Sequence, residues 1–112
     1  MRCARGLVLA ACLLVTGEVV RVVDGDTFDM RAQVWLNVTV TERVRVLGVD
    51  AKEAREPGGA EATAFARAWL EKGPVRVRAC GRDSFGRVLG IVTNASGETL
   101  ADALKAAGHA KP

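Results

Sequence analysis

Two β-branched runs of the sequence end in acidic residues, and this arrangement constrains the fold more than any other feature. The first run, residues 19–23, stops at the acidic turn sequence Asp24-Gly25-Asp26, after which extended residues resume. The second run, residues 43–49, alternates polar and apolar side chains and stops at Asp50. Both patterns are typical of strands, so the sequence predicts carboxylates at the rim of a sheet.

The rest of the chain supplies the other elements of a small barrel. Further extended segments are predicted over residues 27–30 and 34–40, and a hairpin over residues 75–79 and 88–92. Helical spacing covers residues 60–72 and, more briefly, residues 98–107. The predicted fold class is α+β, mainly β: a five-stranded Greek-key barrel of the OB type, with one inserted helix and a short closing helix.

Composition fits one globular domain with few special constraints. The 112 residues are 49% apolar and 26% charged, which excludes a disordered chain, and the net charge of +3 permits anionic partners without naming one. Cys3 and Cys12 lie near the N-terminus and Cys80 stands alone in the body, so no internal disulfide is expected. No spacing suits a structural zinc site, and His109 is expected to be a solvated surface residue without a role.

The first 16 residues are predicted to be a leader with the features of a signal peptide, followed by a domain over residues 17–110. A basic start precedes an apolar run over residues 7–15, which is too short to span a bilayer as a helix. Residues 9–12 also resemble a bacterial lipoprotein processing site, although few apolar residues precede them. An exported protein, a cytoplasmic one with an unusual leader, and an extra first strand all stay open. We expect a monomer.

The acidic residues also suggest a cation. If Asp26, Asp50 and Glu53 shared one pocket, they would repel one another unless a positive ion lay between them. Oxygen donors of this kind suit a hard metal ion. Each residue alone has a plainer interpretation, because Asp-Gly is a common hairpin turn and charged residues beside strands are usually solvated.

Four blocks of the sequence together resemble the staphylococcal nuclease (thermonuclease) family. They are Val-Val-Asp-Gly-Asp-Thr at 22–27, Arg-Val-Leu-Gly-Val-Asp-Ala-Lys-Glu at 45–53, Gly-Ala-Glu-Ala-Thr-Ala-Phe-Ala at 59–66 and Asp-Ser-Phe-Gly-Arg at 83–87. Their order and spacing also match, over residues 17 to about 110. The resemblance implies an OB-fold phosphodiesterase that cleaves DNA and RNA with calcium. It also implies a lost last helix, from which weaker nucleotide binding and a marginal barrel are expected.

The resemblance further implies a role for individual residues. The implied calcium ligands are the carboxylates of Asp26 and Asp50 and the main-chain carbonyl of Ala51. The implied catalytic residues are Glu53, which activates water, and Arg45 and Arg87, which bind phosphate. Ser84 and Phe85 stand where the family has a lysine and a tyrosine that contact the nucleotide, so the substrate-binding set is Arg45, Ser84, Phe85 and Arg87.

General chemistry agrees with these roles, and two other functions stay open. In-line cleavage of a phosphodiester places negative charge on oxygens that a cation and two guanidinium groups can stabilise, while a carboxylate activates water. A noncatalytic OB-fold module that binds single-stranded nucleic acid is the alternative, and it would expose aromatic side chains. A secreted structural or protein-binding domain is the third, and it leaves the carboxylates and arginines without a purpose.

Overall fold

Five strands close into a barrel in the computed structural model, which describes residues 12–112. The strands are β1 (Leu13–Asp24), β2 (Thr27–Trp35), β3 (Val38–Val46), β4 (Val75–Arg82) and β5 (Val88–Thr93). Helix α1 (Gly59–Leu70) connects β3 to β4, and helix α2 (Leu100–Ala106) follows β5. The barrel order is β1-β2-β3-β5-β4, in which β3 and β5 are parallel and every other pair is antiparallel. The predicted α+β barrel with an inserted helix and a closing helix is confirmed.

The core forms because alternate side chains of the strands point into the barrel. Phe28, Val44, Val77 and Val92 are almost completely buried there. Helix α1 covers one end of the barrel with an apolar face, which consists of Ala62, Ala66, Trp69 and Leu70. Helix α2 adds Leu100 and Leu104, and its first turn is capped by Thr99, whose side chain accepts a hydrogen bond from the N–H of Asp102. Small aliphatic and aromatic groups therefore supply most of the stabilising burial.

One predicted strand is wrong. Residues 34–40 were expected to form a single extended segment, but the chain reverses direction between β2 and β3, where Trp35 pairs with Val38. Asn37 adopts a left-handed conformation with φ of 59°, which asparagine tolerates better than most residues. The apolar residues alternate through this turn as they would in a strand, but Val34, Leu36 and Val38 are all exposed at the hairpin tip. A mostly apolar cavity of about 290 Å³ lies beside this hairpin, lined by residues such as Val34, Val40 and Leu13.

The start of β1 overlaps the predicted leader. Strand β1 begins at Leu13, and residues 13–16 pair with β4 as part of β1 rather than as a separate strand. Residues 1–11 of the predicted leader lie outside the described residues, and the domain boundary at residue 17 stays a prediction. Between residues 12 and 112 the chain contains no helix with the length and apolar character needed to cross a membrane.

A disulfide joins Cys12 to Cys80, so the prediction that no internal disulfide forms is wrong. The antiparallel pairing of β1 with β4 places Leu13 opposite Ala79, which brings the preceding and the following cysteine together. The sequence argument failed because Cys12 was assigned to a leader outside the domain. The bond closes a loop of 68 residues and ties the start of β1 to β4.

We expect this disulfide to stabilise the domain, because it restricts the unfolded chain. Cys12→Ser and Cys80→Ser should each lower the free energy of unfolding by about 2–4 kcal/mol, measured by urea denaturation without reductant. The double variant should lose no more than either single variant, and dithiothreitol should affect only the wild type. Unequal losses in the two single variants would contradict the pairing.

Candidate active site

The acidic turn between β1 and β2 is docked onto the loop that follows β3. Asp26 is buried, and its Oδ2 accepts a hydrogen bond of 2.8 Å from the N–H of Ala51. Its Oδ1 accepts a second bond of 3.0 Å from the hydroxyl of Thr27. Gly25 permits the close approach, since a Cβ at this position would lie 2.9 Å from the Cβ of Ala51. The two acidic rims predicted from the sequence therefore meet.

Arg45 lies between the carboxylates of the two rims. Its Nη2 is 3.4 Å from Oδ2 of Asp26 and 3.3 Å from Oδ1 of Asp50. Its Nη1 donates to the carbonyl oxygens of Val46 and Val49, the latter at 2.9 Å. The guanidinium is thus held at the end of β3 and the start of the loop, and it forms ion pairs with two of the predicted metal ligands.

A third carboxylate, that of Asp24, adds negative charge to the turn. Its Oδ1 is buried and has no hydrogen-bond partner among the described residues. Burial raises the pKa of Asp24, and the hydrogen bond and charge of Asp26 raise it further. Ionisation of this third carboxyl group is therefore disfavoured by its surroundings.

An open cleft of about 650 Å³ lies between β3, the loop after it and the turn that joins β4 to β5. It is lined by Glu42, Arg43, Glu53, Phe85, Gly86 and Arg87. Among the described residues, no hydrogen bond or ion pair engages the carboxylate of Glu53, whose N–H donates to Oε1 of Glu56. The cleft therefore contains the carboxylate of Glu53, which has no partner among the described residues, and the guanidinium group of Arg87.

Asp83 holds Arg87 in this cleft. Its Oδ2 accepts a bond of 2.7 Å from Nε of Arg87, and its Oδ1 accepts the N–H groups of Phe85 and Arg87 at 2.9 Å each. Burial raises the pKa of Asp83, but the hydrogen bonds of Arg87 outweigh it and the net pKa is lowered. The guanidinium carbon of Arg87 lies 5.4 Å from the centre of the Phe85 ring, within range of a cation–π contact. Asp83 and Arg87 thus form a local ion pair within the turn, and this pair orients Arg87.

The structure divides the predicted site residues into two groups. Asp26, Arg45, Asp50 and Ala51 meet at the acidic turn, whereas Glu53, Phe85 and Arg87 line the cleft. Ser84 is exposed on the same turn as Phe85 and is not among the cleft-lining residues.

The expected convergence of Asp26, Asp50 and Glu53 is not observed. Across residues 12–112, no three histidine, cysteine, aspartate or glutamate residues gather as metal ligands would. Arg45 lies between the two aspartates, and Glu53 lines the cleft instead.

Sequence reasoning missed two residues that shape the site. Thr27 could have been found from its position beside Asp26. His109 was expected to be solvated, but it is half-buried, and its ring lies 5.1 Å from that of Phe65. Its carbonyl oxygen accepts the N–H of Lys52. No local signal indicates this contact, because it joins residues far apart in the sequence.

Comparison with known proteins identifies the family. The family model described as Staphylococcal nuclease homologue matches residues 43–112. Two proteins, each named "Uncharacterized endonuclease" and found in Escherichia coli and in Escherichia coli O157:H7, are 30% identical to this chain over 99 residues. The alignments cover 88% of this chain, which spans 61% of the length of these relatives. The chain belongs to the staphylococcal nuclease family, as the four sequence blocks predicted.

Proposed function

We propose that this protein is a calcium-dependent endonuclease that hydrolyses phosphodiester bonds of DNA and RNA. The observation that carries the proposal is the cleft in which the free carboxylate of Glu53 and the anchored guanidinium of Arg87 line one open space. Family membership and the printed name of the relatives, endonuclease, support the same activity.

The residues of the cleft suit a phosphodiester substrate. Asp83 binds Nε of Arg87, so the N–H groups of the Nη atoms stay available to a substrate. An arginine fork can bind two phosphate oxygens at once. Glu53 can accept a proton from the attacking water because its carboxylate is exposed and carries no ion pair among residues 12–112. Phe85, which is 82% exposed beside Arg87, offers a flat surface for a base, and Ser84 adds a hydroxyl on the same turn.

The acidic turn supplies the type of donor that a hard cation prefers. Asp26 and Asp50 present carboxylate oxygens on either side of Nη2 of Arg45, which would have to move aside for calcium to bind both, and Asp24 contributes a buried oxygen that lacks a partner among the described residues. These donors are all oxygen atoms, as calcium prefers, and calcium accepts irregular coordination more readily than magnesium does. We propose that Asp26, Asp50 and the main-chain carbonyl of Ala51 hold Ca²⁺. When bound, calcium would supply positive charge to the phosphate and make the attacking water more acidic. Arg45 adds a second guanidinium beside the same residues.

A noncatalytic module that binds single-stranded nucleic acid is the second candidate, and one observation favours it. Trp35 and Phe85 are exposed by 73% and 82%, as expected of a surface on which bases stack. Trp35, however, lies at the tip of the β2–β3 hairpin, whereas Phe85 lies in the cleft beside Arg87. Base stacking at Phe85 is compatible with both functions.

The two functions are separated by incubating the protein with plasmid, single-stranded DNA and RNA, in calcium or in a chelator. The nuclease predicts shortened products in calcium, loss of cleavage in chelator, and higher turnover in calcium than in magnesium. Binding in a gel-shift assay without product in any of these ions would favour the module instead.

Glu53→Gln should lower turnover by roughly a hundredfold to ten-thousandfold, which is the usual contribution of a positioned base. Calcium affinity, measured by calorimetry, should stay close to that of the wild type. Asp50→Asn should instead weaken calcium binding, since it removes a proposed ligand. Glu61→Gln on the exposed surface of α1 is the matched control, with wild-type turnover. Recovery of Glu53→Gln by excess calcium would assign Glu53 to the metal.

Arg87→Ala should cost on the order of a hundredfold or more in turnover, because it removes a donor that stabilises charge in the transition state. Arg87→Lys should recover little of that loss, since lysine cannot donate two bonds in one plane. Arg67→Lys, on the exposed face of α1, should be fully active. Circular dichroism would check folding, and a fully active Arg87→Lys protein would show that only bulk charge matters here.

Asp24→Asn should raise the melting temperature of the metal-free protein, because it removes a negative charge beside Asp26. The gain should be on the order of 1 kcal/mol or less, measured by calorimetry in chelator. Added calcium should stabilise the variant less than the wild type, since binding to the folded state alone raises stability and the variant offers calcium less negative charge. Asp102→Asn on α2 is the control. A lower melting temperature in chelator would show that the Asp24 charge is compensated.

A further inference from the structure

We propose that residues 109–111, called here the C-terminal strap, position the catalytic loop over residues 50–56, and that Lys111 is the positioning residue. This inference rests on the proposed function, because the loop carries Asp50, Ala51 and Glu53. The strap touches none of the atoms that would react. It acts through the loop to which it is bonded.

Main-chain hydrogen bonds join the strap to the loop. The N–H of Lys111 donates to the carbonyl oxygen of Asp50 at 2.7 Å, and the N–H of Lys52 donates to the carbonyl oxygen of His109 at 3.2 Å. These two bonds form an isolated antiparallel bridge between Ala51 and Ala110. The loop residues Asp50 and Ala51 are therefore held from two sides, by Asp26 and by the strap.

A side-chain relay extends this contact toward Glu53. Nζ of Lys111 lies 3.4 Å from Oε1 of Glu56, and the same oxygen accepts the N–H of Glu53. The N–H of Glu56 in turn donates to the carbonyl oxygen of Glu53 at 3.0 Å. Lys111 thus holds the carboxylate of Glu56. This carboxylate in turn binds the N–H of Glu53, the proposed base.

The strap is itself anchored to the core. The N–H of His109 donates to the carbonyl oxygen of Leu104 at 2.9 Å, which ties the strap to the end of α2. The ring of His109 lies 5.1 Å from that of Phe65 on α1. Leu104 is fully buried, so its hydrogen bond to His109 fixes the strap relative to the core. The strap in turn fixes the loop to which it is bonded.

The Lys111–Glu56 pair is better suited to positioning than to stability. The side chains of Lys111 and Glu56 are 32% and 36% exposed, and partly exposed ion pairs of this kind contribute little to folding. A displacement of about 1 Å at a reacting group can nevertheless lower a rate by roughly a hundredfold. Loss of the pair should therefore act on turnover, while Arg87 and Phe85 lie outside the loop and should preserve substrate binding.

The test compares Lys111→Met and Glu56→Gln with Arg31→Met. The control breaks the ion pair between Arg31 and Glu18, which has the same length of 3.4 Å and lies away from the loop. We expect both strap variants to lose about tenfold in kcat, with KM within about twofold of the wild type, because the proposed base is displaced while the residues proposed to bind substrate are unchanged. Their melting temperatures should match that of Arg31→Met, Lys111→Arg should restore kcat, and the double variant should lose no more than the worse single variant.

Amide hydrogen exchange gives a readout that does not depend on activity. The N–H of Glu53 should exchange faster in Lys111→Met and in Glu56→Gln than in the wild type or Arg31→Met. Wild-type kcat in both strap variants, or faster exchange without a loss of kcat, would overturn the proposal while leaving the nuclease intact. A wild-type protein that cleaves no substrate would instead overturn the proposed function, and the catalytic role of the strap with it.

Discussion

The hydrogen bond from the N–H of Ala51 to Oδ2 of Asp26 is the contact on which the candidate site depends. It joins two loops that are 25 residues apart in the sequence and holds them at 2.8 Å. The acceptor is a buried carboxylate, so the bond is stronger than one between neutral groups, and its loss would leave Oδ2 of Asp26 with only the 3.4 Å ion pair to Arg45. Gly25 is required for the same contact, because a side chain there would push Ala51 away.

The charged groups of the site lie in two regions, the acidic turn and the cleft. At the turn, Arg45 pairs with both Asp26 and Asp50, while Oδ1 of Asp24 has no hydrogen-bond partner among the described residues. In the cleft, Asp83 orients Arg87, and the carboxylate of Glu53 is exposed. A phosphodiester bound in the cleft would meet guanidinium donors beside a carboxylate that can accept a proton, and this arrangement supports the proposed chemistry.

Both ends of the described chain are fastened to the barrel, and they are fastened at different places. The disulfide between Cys12 and Cys80 ties the start of β1 to β4. The strap over residues 109–111 binds the loop after β3 and joins it to α2. The first link constrains the unfolded chain and so affects stability, whereas the second restrains a short loop and so affects the position of its side chains.

The sequence by itself determined the barrel and its acidic rims. Alternation in β1 and β3, the helical spacing of α1 and the turn residues Asp24-Gly25-Asp26 are local signals, and each depends on residues close together in the chain. Local signals were misleading at Leu36 and Asn37, because the exposed hairpin tip there continues the alternation of apolar and polar residues that is typical of a strand. The assignment of the first 16 residues to a leader likewise hid the pairing partner of Cys80.

Only the tertiary structure decided which groups meet. Strand register placed Cys12 beside Cys80, and barrel closure placed Arg45 between Asp26 and Asp50 rather than in the cleft with Arg87. The contact between the strap and the loop depends on the two helices, because His109 binds Leu104 on α2 and its ring lies beside Phe65 on α1. Such contacts join residues that are distant in the chain, and their formation depends on the whole core, so no local pattern encodes them.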